Sequence, residues 1–162
     1  MTMAKTNLMH LHLGDWSEDG HGHHEQVLVK VNKSVEEVRK AYHDSCDKTG
    51  VSFHNEYPKR RESQLYFGCN YADVELTPEI REVFTRFGCP YLEWFDDDDL
   101  FDDVQDEHGR AWFAMIWLWF TSLSLSDMEW EIIPPDGTIP SINGGYSDDS
   151  LHESFGYGLW DL

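Results

Sequence analysis

Residues 26–50, QVLVKVNKSVEEVRKAYHDSCDKTG, decide the fold class because their hydrophobic period changes part-way along. Over residues 26–32, apolar and other side chains alternate, and this period of two predicts a half-buried strand. From residue 35 onward the apolar side chains recur at helical spacing, namely at Val35, Val38, Ala41, Tyr42 and Cys46. A strand that leads directly into an amphipathic helix predicts a fold that mixes the two.

Local end signals define this helix and a second one. Ser34 and Glu37 have the spacing of a capping box, and Gly50 can supply a left-handed C-cap, so we predict a helix over about 35–48. In LTPEIREVFTRFG, Thr77 is a good N-cap and Pro78 suits the first helical position. With an apolar stripe at Ile80, Val83, Phe84 and Phe87, this segment predicts a second amphipathic helix over 78–87.

Residues on either side complete the predicted architecture. Upstream, residues 8–13 alternate and predict a strand that pairs with 26–32, with His10 and His12 on the face opposite the core. Downstream, we predict that 114–125 pairs with 128–133, although the apolar run over 111–120 fits a buried helix equally well. We predict a single α+β domain, with a mainly antiparallel sheet and both helices on one face of it. Residues 1–133 would form the core of this domain. Residues 134–162 would form an irregular C-terminal segment that packs on the core or trails from it.

Net charge is the most distinctive property of the sequence. The chain of 162 residues carries −19, and residues 62–162 supply all of it, with 22 Asp and Glu against three Arg. A negative field repels nucleic acid and anionic membranes and attracts cationic surfaces. We therefore predict a basic protein partner that itself binds nucleic acid, and no direct contact with nucleic acid or membrane.

Cysteine content and apolar run lengths bear on the compartment. Three cysteines are too few for a disulfide framework, and the N-terminal residues contain no apolar leader segment. The apolar run at 111–120 is about half the length that spans a bilayer. These features predict a cytoplasmic protein.

The histidine-rich loop GDWSEDGHGHHE between the first two strands has three interpretations. Asp15, Ser17, Asp19 and Gly20 resemble the start of an EF-hand loop, which implies calcium, but Gln26 stands where the bidentate glutamate belongs. A transition-metal site is the second interpretation, and its candidate ligands are His10, His12, Asp15, Asp19, His21 and His23. The third interpretation is a solvated hairpin tip with a structural or contact role and only adventitious metal affinity. This interpretation predicts no cofactor, whereas the first two predict calcium and zinc respectively.

The second interpretation carries an alternative function. His10 and His12 followed by a serine, an aspartate and a glycine distantly resemble the opening of PHP-type phosphoesterases. That resemblance implies a metal-dependent hydrolase, with a metal-activated water and Glu25 as proton acceptor, or a metal-binding protein. The serine-to-aspartate spacing is interrupted by Glu18, and the later ligands of that family are not evident. No nucleophile elbow, phosphate loop or dinucleotide fingerprint occurs in the chain.

The segment EWFDDDDLFDDVQDE, residues 93–107, combines nine acids with large apolar residues. Carboxylates displayed in a row can replace backbone phosphates, while aromatic side chains supply buried contacts. In charge and size the chain resembles DNA-mimic inhibitors and immunity-type proteins that neutralise nucleases. We therefore predict a non-enzymatic protein that blocks a nuclease, a toxin or a nucleic-acid-handling complex through Trp94, Asp96, Asp97, Asp98, Asp99, Phe101, Asp102 and Asp103.

Overall fold

A computed structural model describes residues 7–12, 26–53, 65–67, 76–97, 100, 111–133 and 151–154. Helices and strands are both present, so the predicted α+β class is supported. In chain order the strands are β1 (Asn7–His12), β2 (Gln26–Val31), β3 (Val51–Ser52), β4 (Leu65–Tyr66), β5 (Trp130–Ile133) and β6 (Leu151–Ser154). The α-helices of the described segments are α1 (Val35–Thr49), α2 (Pro78–Arg86) and α3 (Ala111–Ser122), and a 3₁₀ helix covers Leu92–Phe95.

Four strands form a sheet in the order β5-β2-β1-β6. As predicted, β1 and β2 are antiparallel, with Met9 opposite Val29 and Leu11 opposite Val27. Strand β5 is antiparallel to β2, whereas β6 runs parallel to β1. The short strands β3 and β4 form a separate parallel pair.

Capping geometry explains where α1 begins and ends. The Glu37 N–H donates to Ser34 Oγ at 3.2 Å, and the Ser34 N–H donates to Glu37 Oε1 at 3.1 Å, which is the predicted capping box. Gly50 closes the helix in the left-handed region at φ 76°, and its N–H donates to the Cys46 carbonyl. Glycine suits this position because it has no Cβ to oppose a positive φ.

Helix α2 likewise follows its sequence signals. Thr77 Oγ1 accepts the Ile80 N–H at 3.2 Å, and Pro78 occupies the first turn. Ile80, Val83 and Phe84 are buried, whereas Pro78, Glu79 and Glu82 on the other side are exposed. The helix therefore has one face in the core and one in solvent.

Residues 111–122 form a helix, so the predicted strand pairing of 114–125 with 128–133 is wrong. Strand β5 pairs with β2 instead. The helix is apolar on all sides and contacts three other elements through aromatic rings. Trp117 stacks on Tyr42 of α1 at 5.4 Å, Phe120 lies 4.9 Å from Phe53, and Trp119 lies 5.3 Å from Phe84 of α2. A helix buried on every side has no amphipathic period, which is why its sequence did not distinguish it from a strand.

Polar contacts fix α1 to the end of α3. Ser45 Oγ lies 2.8 Å from Ser124 Oγ, and Lys48 Nζ donates to the Leu123 carbonyl at 2.7 Å. The lysine thus satisfies a carbonyl just beyond the C-terminal end of α3, where a cation is favourable.

Strand β6 lies within 134–162, the segment predicted to be irregular, so that prediction is wrong for residues 151–154. Met9 aligns with Leu151, and His12 aligns with Ser154. The alternation of β6 is too short to identify in the sequence, and its partner strand lies at the opposite end of the chain. The proposed boundary between a core of 1–133 and a C-terminal segment stays a prediction.

The core joins the helices to one face of the four-stranded sheet. Val29, Val31 and Ile132 are buried in the same cluster as the inward residues of α1, α2 and α3. The register places Lys30 and Glu131 on the other face, where Lys30 is partly exposed and Glu131 is exposed. Where side chains of β2 and β5 are described, the sheet therefore has one buried face and one face toward solvent.

Candidate functional site

The segment from Tyr91 to Asp97 is held to the core by aromatic rings. It begins one turn after α2, and the Trp94 N–H donates to the Tyr91 carbonyl at 3.1 Å. The Tyr91 and Trp94 rings are 4.5 Å apart, and Phe95 lies 5.8 Å from the buried Trp112. Ring pairs at these distances add stabilisation beyond the burial of their area.

Carboxylates in the same segment are exposed. Glu93, Asp96 and Asp97 all lie in solvent, beside the half-buried Trp94 and Phe95. Asp97 Oδ1 accepts the backbone N–H of Leu100 at 3.2 Å, and Leu100 packs against the core. An alternation of docked apolar and exposed acidic side chains therefore fixes the start of the acidic stretch to the body of the protein. These seven residues, 91–97, form the acidic ledge.

Helix α2 adds both signs of charge next to the acidic ledge. Arg81 Nη1 lies 2.6 Å from Asp96 Oδ1, so one of the ledge carboxylates is paired within the molecule. Arg86 pairs with Glu82 one turn away along the helix at 3.2 Å. A shallow depression of about 510 Å³ runs along this outer face, lined by Pro78, Arg81, Glu82, Thr85 and Arg86.

Of the predicted partner-binding residues, the structure describes Trp94, Asp96 and Asp97. Trp94 packs partly on the core, so it is less available as an anchor than the sequence suggested. Arg81 neutralises part of the charge of Asp96, a contact that residue spacing did not indicate. Asp98, Asp99, Phe101, Asp102 and Asp103 lie outside the described residues.

The predicted metal ligands are divided in the same way. Asp15, Asp19, His21 and His23, together with Glu25, lie outside the described residues, whereas His10 and His12 belong to β1. Among the residues whose side chains the structure describes, no group of three His, Cys, Asp or Glu could hold a metal ion. The backbone register nevertheless aligns His10 with His152 of β6, a histidine that the sequence analysis did not include.

Thiol and phenol groups in the core are not poised for nucleophilic chemistry. Cys46 and Cys89 are buried thiols, and burial raises the pKa of the Cys89 thiol to about 11. Burial also raises the pKa of Tyr42 well above its usual value. Both Cys89 and Tyr42 are therefore protonated at neutral pH and act as packing or hydrogen-bonding groups.

One ion pair, between a half-buried lysine and an exposed aspartate, has shifted pKa values on both sides. Lys33 Nζ lies 2.6 Å from Asp127 Oδ2. This hydrogen bond raises the pKa of Lys33 and lowers the pKa of Asp127. Asn32 reinforces the same junction, since its side chain donates to the Asp127 carbonyl at 2.9 Å and accepts the Glu129 N–H at 2.8 Å. These contacts connect the start of α1 to the strand β5 and have a structural role.

Compared with protein-family models, with curated proteins and with solved structures, the chain matches none of them. Within the described segments, the longest apolar helix falls short of the length needed to cross a bilayer.

Proposed function

We propose that this chain is a small acidic protein that docks on a basic, nucleic-acid-handling protein and blocks its cationic surface. The observation that supports the proposal is the acidic ledge, where exposed carboxylates alternate with aromatic side chains that pack on the core. A solvated charge run without a partner does not require such anchors. The remaining acids of residues 98–107 continue directly from this fixed start.

Fixed carboxylates are better suited to binding than mobile ones. Their rotational freedom is already restricted before the partner arrives, so less entropy is lost on association. Concentration of the negative charge in residues 62–162 also creates a field that accelerates encounter with a cationic partner. A groove that binds backbone phosphates has the complementary charge, and this chemistry defines the class of partner.

The ion pair between Arg81 and Asp96 changes which acids are expected to carry the contact. Arg81 already compensates the charge of Asp96, so replacement of Asp96 by Asn would disturb the anchoring of the ledge as well as its charge. Asp97, Asp98 and Asp99 are the better targets for substitution. Asn at position 97 retains the oxygen that accepts the Leu100 N–H, so the local backbone contact can persist.

The test compares two variants with the same change in net charge. The first, the ledge variant, is D97N/D98N/D99N, which changes the last acid of the acidic ledge and the two acids that follow it in the sequence. The second, the control variant, is E36Q/D47N/E131Q, which neutralises three exposed acids on α1 and β5. Each protein is immobilised and exposed to host-cell lysate at low salt, and the bound proteins are identified by mass spectrometry.

We expect the wild type and the control variant to retain the same basic, nucleic-acid-binding proteins, and the ledge variant to lose them. Added duplex DNA should compete for the same partner, and about 1 M salt, where the Debye length is about 3 Å, should release it. With a purified partner, the association rate of the ledge variant should fall about tenfold at low salt. Equal retention by wild type and ledge variant, or equal loss by both variants, would contradict the proposal.

A further inference from the structure

Three histidines occupy adjacent positions on one face of the four-stranded sheet. His10 and His12 are two residues apart on β1, and alternate residues of a strand share a face. His152 of β6 is the register partner of His10 across the parallel pair β1-β6. Residues that are register partners in neighbouring strands also share a face, so the three positions belong together.

The shared face is the one opposite the core. The buried residues Val29, Val31 and Ile132 belong to the other face, in register with Met9 and Asn7 of β1. On the histidine face the register places Lys30 and Glu131, which are partly exposed and exposed. At the two positions where side chains of this face are described, the face is thus accessible to solvent.

Strand geometry sets the spacing of the three positions. Alternate residues of a strand are about 6.5–7 Å apart along it, and neighbouring strands are about 4.8 Å apart. His152 is thus about 5 Å from His10 and about 8 Å from His12, measured between backbone positions. Backbone positions with this spacing on one face of a sheet are close enough for three histidines to share a single ion.

We propose that His10, His12 and His152 form a binding site for a divalent transition-metal ion, with zinc as the favoured ion. Three neutral imidazoles suit zinc, copper or nickel, whereas calcium and magnesium require oxygen ligands. A zinc ion held by three histidines keeps its fourth position for water or a ligand. The site differs from the loop site considered in the sequence analysis because it needs β6 and does not need His21 or His23.

The metal would cross-link the two ends of the chain. Strand β6 pairs with β1 in the sheet. A ligand that binds only the folded state, with β1 and β6 paired, raises the stability of that state as its concentration rises. Zinc should therefore raise the melting temperature of the wild type in a saturable manner. This inference is independent of the docking proposal, because it concerns a different surface.

The experiment uses full-length protein prepared without a histidine tag and stripped with a chelator. Zinc is titrated by calorimetry, and cobalt is titrated in parallel by visible absorption, which distinguishes tetrahedral from octahedral coordination. His152→Asn removes one proposed ligand. The matched control, His21→Asn/His23→Asn/His24→Asn, removes three loop histidines and leaves the sheet positions intact.

We expect one zinc ion per chain in the wild type and in the loop control. His152→Asn should weaken zinc binding by more than about 100-fold, since loss of even an outer partner of a metal ligand costs about 10–100-fold. Circular dichroism should show that each variant keeps the wild-type fold. If His152→Asn fails to fold, His10→Asn tests the same site from β1.

Three results would overturn the proposal. Zinc binding that survives in His152→Asn but is lost in the loop control would place the ion in the hairpin loop. Weak uptake without a defined stoichiometry would show adventitious affinity only. Absence of any zinc or cobalt binding to the wild type would remove the site altogether.

Discussion

Tyr42 shows how a single hydroxyl secures the junction between α1 and β3. Its Oη accepts the Phe53 N–H at 3.1 Å and lies 3.3 Å from Ser52 Oγ, and all three groups are buried. We predict that Tyr42→Phe lowers the free energy of unfolding by about 1–3 kcal/mol, because a buried N–H loses its acceptor. Urea unfolding measures the change. Ser52→Ala is the control and should cost less, since the buried Phe53 N–H keeps its acceptor on Tyr42; an equal or larger effect of Ser52→Ala would contradict the prediction.

The pair of Lys33 and Asp127 gives a pH dependence whose sign follows from the two shifts. The pKa of Asp127 is lower in the folded protein than in the unfolded chain. The pair therefore stabilises the folded state at pH values above the unfolded pKa of Asp, and this stabilisation is lost as pH falls through the pKa of Asp127 in the folded protein. The pKa of Lys33 is higher in the folded protein than in the unfolded chain. Its contribution to the stability of the folded state is therefore present below the unfolded pKa of Lys and is lost as pH rises through the pKa of Lys33 in the folded protein.

The expected pH profile compares the wild type with Asp127→Asn. The difference in melting temperature should be constant from about pH 5 to about pH 9 and should shrink toward both acid and alkaline ends. Asp44→Asn, which breaks the exposed pair with Lys40 one helical turn away, is the control and should give a smaller difference. A difference that grows on acidification would show that the pair does not act as described.

Among the elements, those with local signals were predictable and those with remote partners were not. The ends of α1 and α2 depend on contacts within four residues, such as Ser34 with Glu37, so the sequence identified both helices. Most described side chains of α3 are buried, and its continuous apolar run has no amphipathic period. Strand β6 pairs with a strand at the other end of the chain, and no local pattern indicates such a pairing. The same reasoning applies to the candidate sites: the face of His10 was predictable from alternation, whereas its neighbour His152 was not.

The capping box of α1 gives a prediction for an element. Ser34→Ala should lower the free energy of unfolding by about 1 kcal/mol, because the first turn of α1 loses the acceptor of the Glu37 N–H. Chemical denaturation measures the loss. Ser34→Asn keeps a side-chain oxygen at the same position and should restore most of the stability. If Ser34→Asn were as unstable as Ser34→Ala, the hydroxyl would act by some contact other than the cap.

For the whole molecule, the charge of −19 opposes folding as well as serving the proposed contact. Compaction brings like charges together, and this self-repulsion lowers the stability of the folded state. Salt screens it: the Debye length falls from about 30 Å at 0.01 M to about 8 Å at 0.15 M. We therefore predict that the melting temperature rises over this range and then levels off, whereas a general effect of salt on apolar burial would continue into the molar range.

The distribution of charge makes this prediction more specific. The acids replaced in the ledge variant lie in a part of the chain with few cations, whereas α1, which carries two of the three control positions, also carries Arg39, Lys40 and Lys48. Removal of the three charges at positions 97–99 should therefore reduce the salt-dependent rise in melting temperature more than removal of three charges from the control positions. Melting curves of the three proteins at several salt concentrations give the comparison. Equal slopes for the two variants would mean that the net charge alone matters, and the ledge would then have no concentrated field with which to attract a partner.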